Sequence, residues 1–234
     1  MQVKSRQKSQ IGAAARGSIA AALLAAGVAG AGLWITASSG ERTVSVLTAA
    51  DISAWAPWAF SGETRYTPVE IDQRRAVEAI SDHAASGLYR KIAIDLHETP
   101  LLHWSWRVDN TLGDINERTK EGDDYPARVY VLAAHPLFFW RTRALSYVWS
   151  SAQPGGSNWP NAYTENAWMV AVRSGEQGLG EWHQEQRNVR EDFERYFGKD
   201  VRYVDAVALM TDTDNTGRKA TAYYGPIYFA DRYR

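Results

Sequence analysis

The chain has no cysteine, which removes disulfides, thiolate metal sites, cysteine nucleophiles and the lipid-modified cysteine of bacterial lipoproteins. Histidine is sparse: His83, His97, His103, His135 and His183 are scattered, and no pair has the spacing of a His-Glu-x-x-His metal helix. There is no Gly-x-Ser-x-Gly elbow, no phosphate-binding glycine loop and no dinucleotide fingerprint. Positive charge is short once the N-terminus is set aside. Lys4, Arg6, Lys8 and Arg16 lie in the first 38 residues, and without them 22 basic residues face 27 acidic ones. A mildly acidic domain is a poor partner for nucleic-acid phosphates, so no nucleic acid is expected.

Only one long apolar run is present. Ser18 to Ala37 is uncharged, rich in Ala, Leu, Val and Gly, and follows a basic, polar stretch over residues 1–17. That order belongs to a signal peptide or to a membrane anchor whose start stays in the cytoplasm. About 20 residues is long for a cleaved core and near the minimum for spanning a bilayer. The Ala and Gly content favours cleavage near Ala37, Ser38 and Ser39, although Ile35 is a poor residue three positions before an Ala37 cut. A buried cytoplasmic helix is the remaining alternative. The expectation is a signal peptide or anchor helix over 1–38, and a domain in the periplasm or on the outer face of the inner membrane. Contact with the membrane is expected through this segment alone.

What the rest of the chain does have is aromatic side chain: ten Trp, twelve Tyr and six Phe, far more than disorder carries. From Thr43 onward short alternating runs are separated by turns. In Leu101–Val108, Leu102, Trp104, Trp106 and Val108 fall on one face and His103, Ser105 and Arg107 on the other, the period of a half-buried strand. Similar runs cover Val69–Ile80 (broken near Asp72), Leu88–Leu96, Arg128–Ala133, Leu145–Trp149, Ala167–Val172, Val204–Met210 and Ala222–Phe229. Gly180–Gly198 reads as a helix, because Trp182, Val189, Phe193 and Tyr196 recur at helical spacing and Gly198 sits where a C-terminal cap belongs. A second short helix is expected over Leu137–Arg143. About nine strands without βαβ alternation predict a mostly β fold: one antiparallel, jelly-roll-like β-sandwich over 43–234 with one or two covering helices, preceded by the signal or anchor helix.

Several consecutive phrases resemble one bacterial family. They include Ser86-Gly87-Leu88-Tyr89, Leu102-His103-Trp104-Ser105-Trp106-Arg107-Val108, the run from Glu121 to Val131, Tyr147-Val148-Trp149, Gln186-Arg187-Asn188-Val189, Met210 to Gly217, and Ala222-Tyr223-Tyr224-Gly225-Pro226-Ile227. In their order they resemble domain-of-unknown-function family 3047 from about residue 45 to the end, departing from it between His135 and Ala144. No catalytic or binding residue comes with that resemblance. More loosely, the strand rhythm is similar to jelly-roll carbohydrate-binding modules, a likeness of fold that does not license function.

Asp212-Thr213-Asp214-Asn215-Thr216-Gly217 places alternating oxygens in a tight turn, which suits calcium held by Asp212, Asp214 and Asn215. An EF-hand would need Glu where Tyr223 stands, and the plainer reading is a hairpin turn with Gly217 at positive φ. Asp124 precedes a strand that carries Arg128 and Tyr130 on one face, with Arg107 on a strand expected beside it. Those charges suit a buried network in which Asp124 pairs with Arg128 or Arg107. They equally suit a sugar- or uronate-binding face, in which the arginines meet hydroxyls or carboxylates while Tyr130, Tyr147 or Trp149 stacks on the ring. Trp104 and Trp106 are expected in the core. Paired carboxylates for glycoside cleavage cannot be chosen among 27 acids without geometry.

Three functions remain open on this reading: an exported, non-catalytic module binding a glycan or envelope polymer, a structural or assembly partner in an envelope protein complex, and a polysaccharide hydrolase or lyase.

Overall fold

The computed structural model describes residues 42–48, 51, 55–134 and 141–233. The leader over 1–38 lies outside them, as does most of the second helix expected at 137–143. Among the described residues no helix is long and apolar enough to cross a membrane.

The described residues form thirteen strands: β1 (Thr43–Leu47), β2 (Ala56–Ser61), β3 (Arg65–Ile71), β4 (Arg74–Asp82), β5 (Ala85–Asp95), β6 (Leu101–Val108), β7 (Ala127–Ala133), β8 (Arg143–Ser150), β9 (Asn158–Pro160), β10 (Ala167–Ser174), β11 (His183–Asn188), β12 (Tyr203–Asp212) and β13 (Lys219–Ala230). An α-helix, α1 (Val189–Phe197), follows β11 directly. The strands make two sheets. The six-stranded sheet runs β11-β6-β13-β4-β3, with β1 also on β13, and the seven-stranded sheet runs β2-β5-β12-β7-β8-β10-β9. The expected sandwich is present, with one departure from antiparallel pairing. β8 and β10 are parallel, because the long connection carrying β9 returns the chain to the end where β8 began.

The inner faces interlock through aromatic rings, as the alternation in β6 requires. Trp104 and Trp106 are buried and meet edge to face at 5.4 Å. Trp104 stacks on Tyr147 at 5.4 Å, and Trp106 meets Trp149 at 6.1 Å. Large rings packed at these separations supply the apolar burial that holds the sheets together.

The long helix expected across 180–198 is half strand. Residues 183–188 pair with β6, and only Val189–Phe197 is helical. Asn188 caps it, its side-chain oxygen accepting from the Glu191 amide at 3.2 Å, and Gly198 ends it at φ 61° in the left-handed region, as the cap position demands. Val189 and Phe193 are buried in the inter-sheet core, and Tyr196 stacks on Trp168 at 5.6 Å.

Two further features shape the surface. Asp72 and Gln73 turn the β3–β4 hairpin with φ of 52° and 60°, the doubly positive geometry of a two-residue turn that matches strand twist. In β13 the pairing with β6 slips between Tyr224 and Ile227, where Pro226, lacking an N–H, sits in a bulge.

Candidate functional site

The residues expected to share one polar face are distributed over three places. Arg107 is on β6, on the outer side of the six-stranded sheet. It donates to Asp109 and to Asp72, each at 2.8 Å, and lies over the Tyr223 ring at 5.5 Å. Tyr147 and Trp149 are fully buried between the sheets, so neither offers a ring to a ligand. The alternation in β8 that puts Leu145 inward puts them inward as well. Arg128 and Tyr130 do share a face, the outer side of the seven-stranded sheet, yet both are buried there. Tyr125, from the loop before β7, and Trp159, from β9, pack together with Val148, Met169 and Ala171.

Beside Tyr125 lies a knot of charge. Arg128 forms a two-pronged ion pair with Asp212, its Nε donating to Oδ1 at 2.9 Å, and a guanidinium nitrogen lies 4.0 Å from Asp123. Its guanidinium also covers the Tyr125 ring at 4.6 Å. Burial pushes the Asp123 carboxyl up to about 6, against the pull of Arg128 and of the Asn161 amide that donates to it. Asp124 is not the partner of either arginine. It accepts from the backbone amides of Asn215 at 3.3 Å and Thr216 at 2.6 Å, and so ties the 212–217 turn to the loop before β7.

Asp124 therefore joins Asp212 and Asp214, with carboxylate oxygens within 4.8 Å of one another. Asn215 turns its side-chain amide to the Asp124 carboxylate at 3.2 Å. The sequence pairs Asp212 with Asp214 in one turn but gives no sign of Asp124, which lies far upstream. As a calcium cradle the donor set fits poorly. N–H groups converge on both Asp124 oxygens, and Arg128 holds both Asp212 oxygens, which is the chemistry of a structural closure. The cleft beside the knot has about 40 Å³, room for little more than a water molecule.

A larger groove, about 620 Å³, crosses the outer face of the six-stranded sheet. That is the size of a small-ligand site. Ser105 of β6 and Gly225 of β13 are side by side in its floor, where a side chain on Gly225 would collide with the Ser105 hydroxyl. Along one wall His103 and Tyr228 stack in parallel at 4.8 Å. Gln184 and Gln186 of β11 line another part. At one end the β3–β4 turn folds over: Asp72 accepts from Trp182 Nε1 at 3.2 Å, and the Arg74 guanidinium stands 5.6 Å above the Trp182 ring. Arg75, next to it, is exposed and forms no ion pair among the described residues.

This groove escaped the sequence reading. Gln184 and Gln186 alternate with the inward-facing His183, Glu185 and Arg187, but no residue of β11 is apolar, so the helical recurrence of Trp182, just before the strand, with Val189 hid the period of two. The Arg74-Arg75 pair just past the Asp72 break was the available signal.

A model of the family described as "Protein of unknown function (DUF3047)" matches residues 53–228. No curated protein matches the sequence. Among solved structures, a glycoside hydrolase domain of Endo-D from Streptococcus pneumoniae R6 aligns with a TM-score of 0.42 and 10% identity, over 77% of this chain and 22% of that one. This chain thus spans about a fifth of that protein. A cellulase derived from Cel12A of Rhodothermus marinus aligns with a TM-score of 0.42 and 11% identity, over 81% of this chain and 100% of its own. The carbohydrate-binding module TmCBM61, solved with β-1,4-galactotriose, gives 0.36 and 9%, over 78% of this chain and 90% of its own.

Proposed function

We propose, starting from the premise that the chain belongs to DUF3047, that it is an exported, non-catalytic module that binds a glycan in the groove over its six-stranded sheet. The observation that carries this reading is the chemistry of the groove. A sugar ring offers apolar faces and hydroxyls that both donate and accept. Trp182 and the His103–Tyr228 stack supply flat rings, and the amides of Gln184 and Gln186 supply a donor and an acceptor each. The cleft beside the buried acids around Arg128 is far smaller, about 40 Å³ against about 620 Å³, which supports placing the ligand in the groove.

The test is thermal unfolding of the full-length protein with neutral and acidic oligosaccharides, alongside Trp182→Ala. A ligand at a hundred times its Kd stabilises the native state by about 2.7 kcal/mol, or roughly 5–10 °C for a domain of this size. The expected result is a rise with at least one glycan that Trp182→Ala abolishes. No rise with any glycan would overturn the reading and favour a protein partner on the same face.

A further inference from the structure

The charges around the groove narrow the class of glycan, an inference that rests on the binding reading above. Most arginines near it are committed. Arg107 is held by Asp72 and Asp109, Arg173 donates to Glu185 at 2.7 Å, and Arg187 grips Asp192 with two hydrogen bonds at 2.9 and 2.5 Å. Arg74 and Arg75 are the exception. Neither forms an ion pair among the described residues, although acids outnumber bases in the chain outside its first 38 residues. Glu70 lies opposite Arg75 in the strand register without an ion pair between them.

Two adjacent like charges repel each other, and among the described residues no carboxylate comes within ion-pair distance of either. Arg74 is also placed: its guanidinium carbon stands 5.6 Å from the centre of the Trp182 ring, within cation–π reach. A guanidinium presented in this way matches a carboxylate with two parallel hydrogen bonds. The same Trp182 that serves as a sugar platform holds the arginine beside that platform. We infer that the groove takes an acidic polysaccharide, a chain of uronate units, whose ring packs by Trp182 and whose carboxylates are received by Arg74 and Arg75.

Isothermal titration of the full-length protein with hexamers of galacturonate and of mannuronate, and with their carboxyl-reduced neutral counterparts, tests this. The expected result is binding of a uronate hexamer at least tenfold tighter than its neutral counterpart, weakening between 20 and 200 mM salt as screening grows. Arg75→Gln, at an exposed position, should cost about tenfold on the uronate and nothing on the neutral sugar, with Tm unchanged. Trp182→Ala should weaken both. Equal binding of acidic and neutral hexamers, lost in Trp182→Ala, would overturn the acidic ligand and leave the glycan reading standing. Binding of neither would remove both. A hexamer of aspartate bound as tightly as the uronate would show a surface that reads charge without sugar and would also refute the inference.

Discussion

Replacing Arg128 with methionine tests the buried knot most directly, because the structure fixes both the size of the effect and its pH dependence. The guanidinium is 3% exposed and is the cation paired with the Asp212 and Asp123 carboxylates, themselves 1% and 4% exposed. Breaking a buried pair by removing one member costs about 3–5 kcal/mol. For a domain of this size that is roughly 6–20 °C in Tm. The sign of the pH dependence follows from Asp123. Burial raises its carboxyl from 3.8 to about 6, so the folded state holds a proton that the unfolded state releases. Stability from this group is complete below about pH 4 and is lost as pH rises through 6, about 3 kcal/mol in all at 1.36 kcal/mol per pH unit. Arg128 opposes the rise, so its loss must push the folded carboxyl higher still. The deficit of Arg128→Met relative to the parent should therefore be largest at pH 8 and shrink toward pH 5, by about 1.4 kcal/mol or more. Urea unfolding of both proteins at pH 5, 6.5 and 8 measures this difference, and contributions from carboxylates common to both cancel. An equal deficit at all three values would refute the assignment of Asp123 and Asp212 as the orphaned charges.

Other substitutions separate structure from binding. Tyr147→Phe removes the hydroxyl that donates to Asp192 at 2.9 Å. It should cost about 1–3 kcal/mol in chemical denaturation and leave glycan affinity unchanged. A loss of affinity without a loss of stability would return Tyr147 to the ligand face. Gly122→Ala drives a methyl into the Asn116 backbone carbonyl, whose carbon stands 2.6 Å from the added atom. The expected penalty is about 1–3 kcal/mol, read as a lower urea midpoint, and an unchanged midpoint would mean that the loop before β7 gives way freely. Millimolar calcium or EDTA should leave Tm unaltered, since donors already converge on Asp124 and Asp212. A calcium-dependent rise lost in Asp214→Asn would overturn that account and restore a metal to the turn.

The fold was legible wherever apolar alternation carried it. Trp104 and Trp106 flanked by His103, Ser105 and Arg107 could pack only one way, and Gly198 marked the helix end. The same rule applied to Leu145, Tyr147 and Trp149 places both aromatics inward, so their assignment to a ligand face set residue type above periodicity. β11 was illegible for a different reason. An edge strand of His, Gln, Glu and Arg has no apolar alternation, because its inward residues are satisfied by specific partners, as Glu185 is by Trp106 Nε1 at 3.2 Å. Nor does local sequence hold the pairing of Arg128 with Asp212, 84 residues away, or the meeting of the 72–75 turn with Trp182. Charges brought together by topology need the topology first.

The position of β13 has a consequence for the order of folding. This last strand is an inner member of its sheet and bonds to β6 on one side and to β4 and β1 on the other. Thr43 near the start of the described chain is thereby matched with Ala230 near its end. Closing loops of that length is entropically costly and slow, and until the C-terminal segment is available β4 has only β3 beside it, β6 only β11, and β1 no strand among the described residues. A nascent chain must hold its tryptophan-rich strands without that central neighbour until then. A chain cut before Lys219 would lose the hydrogen-bonded neighbour of three strands at once.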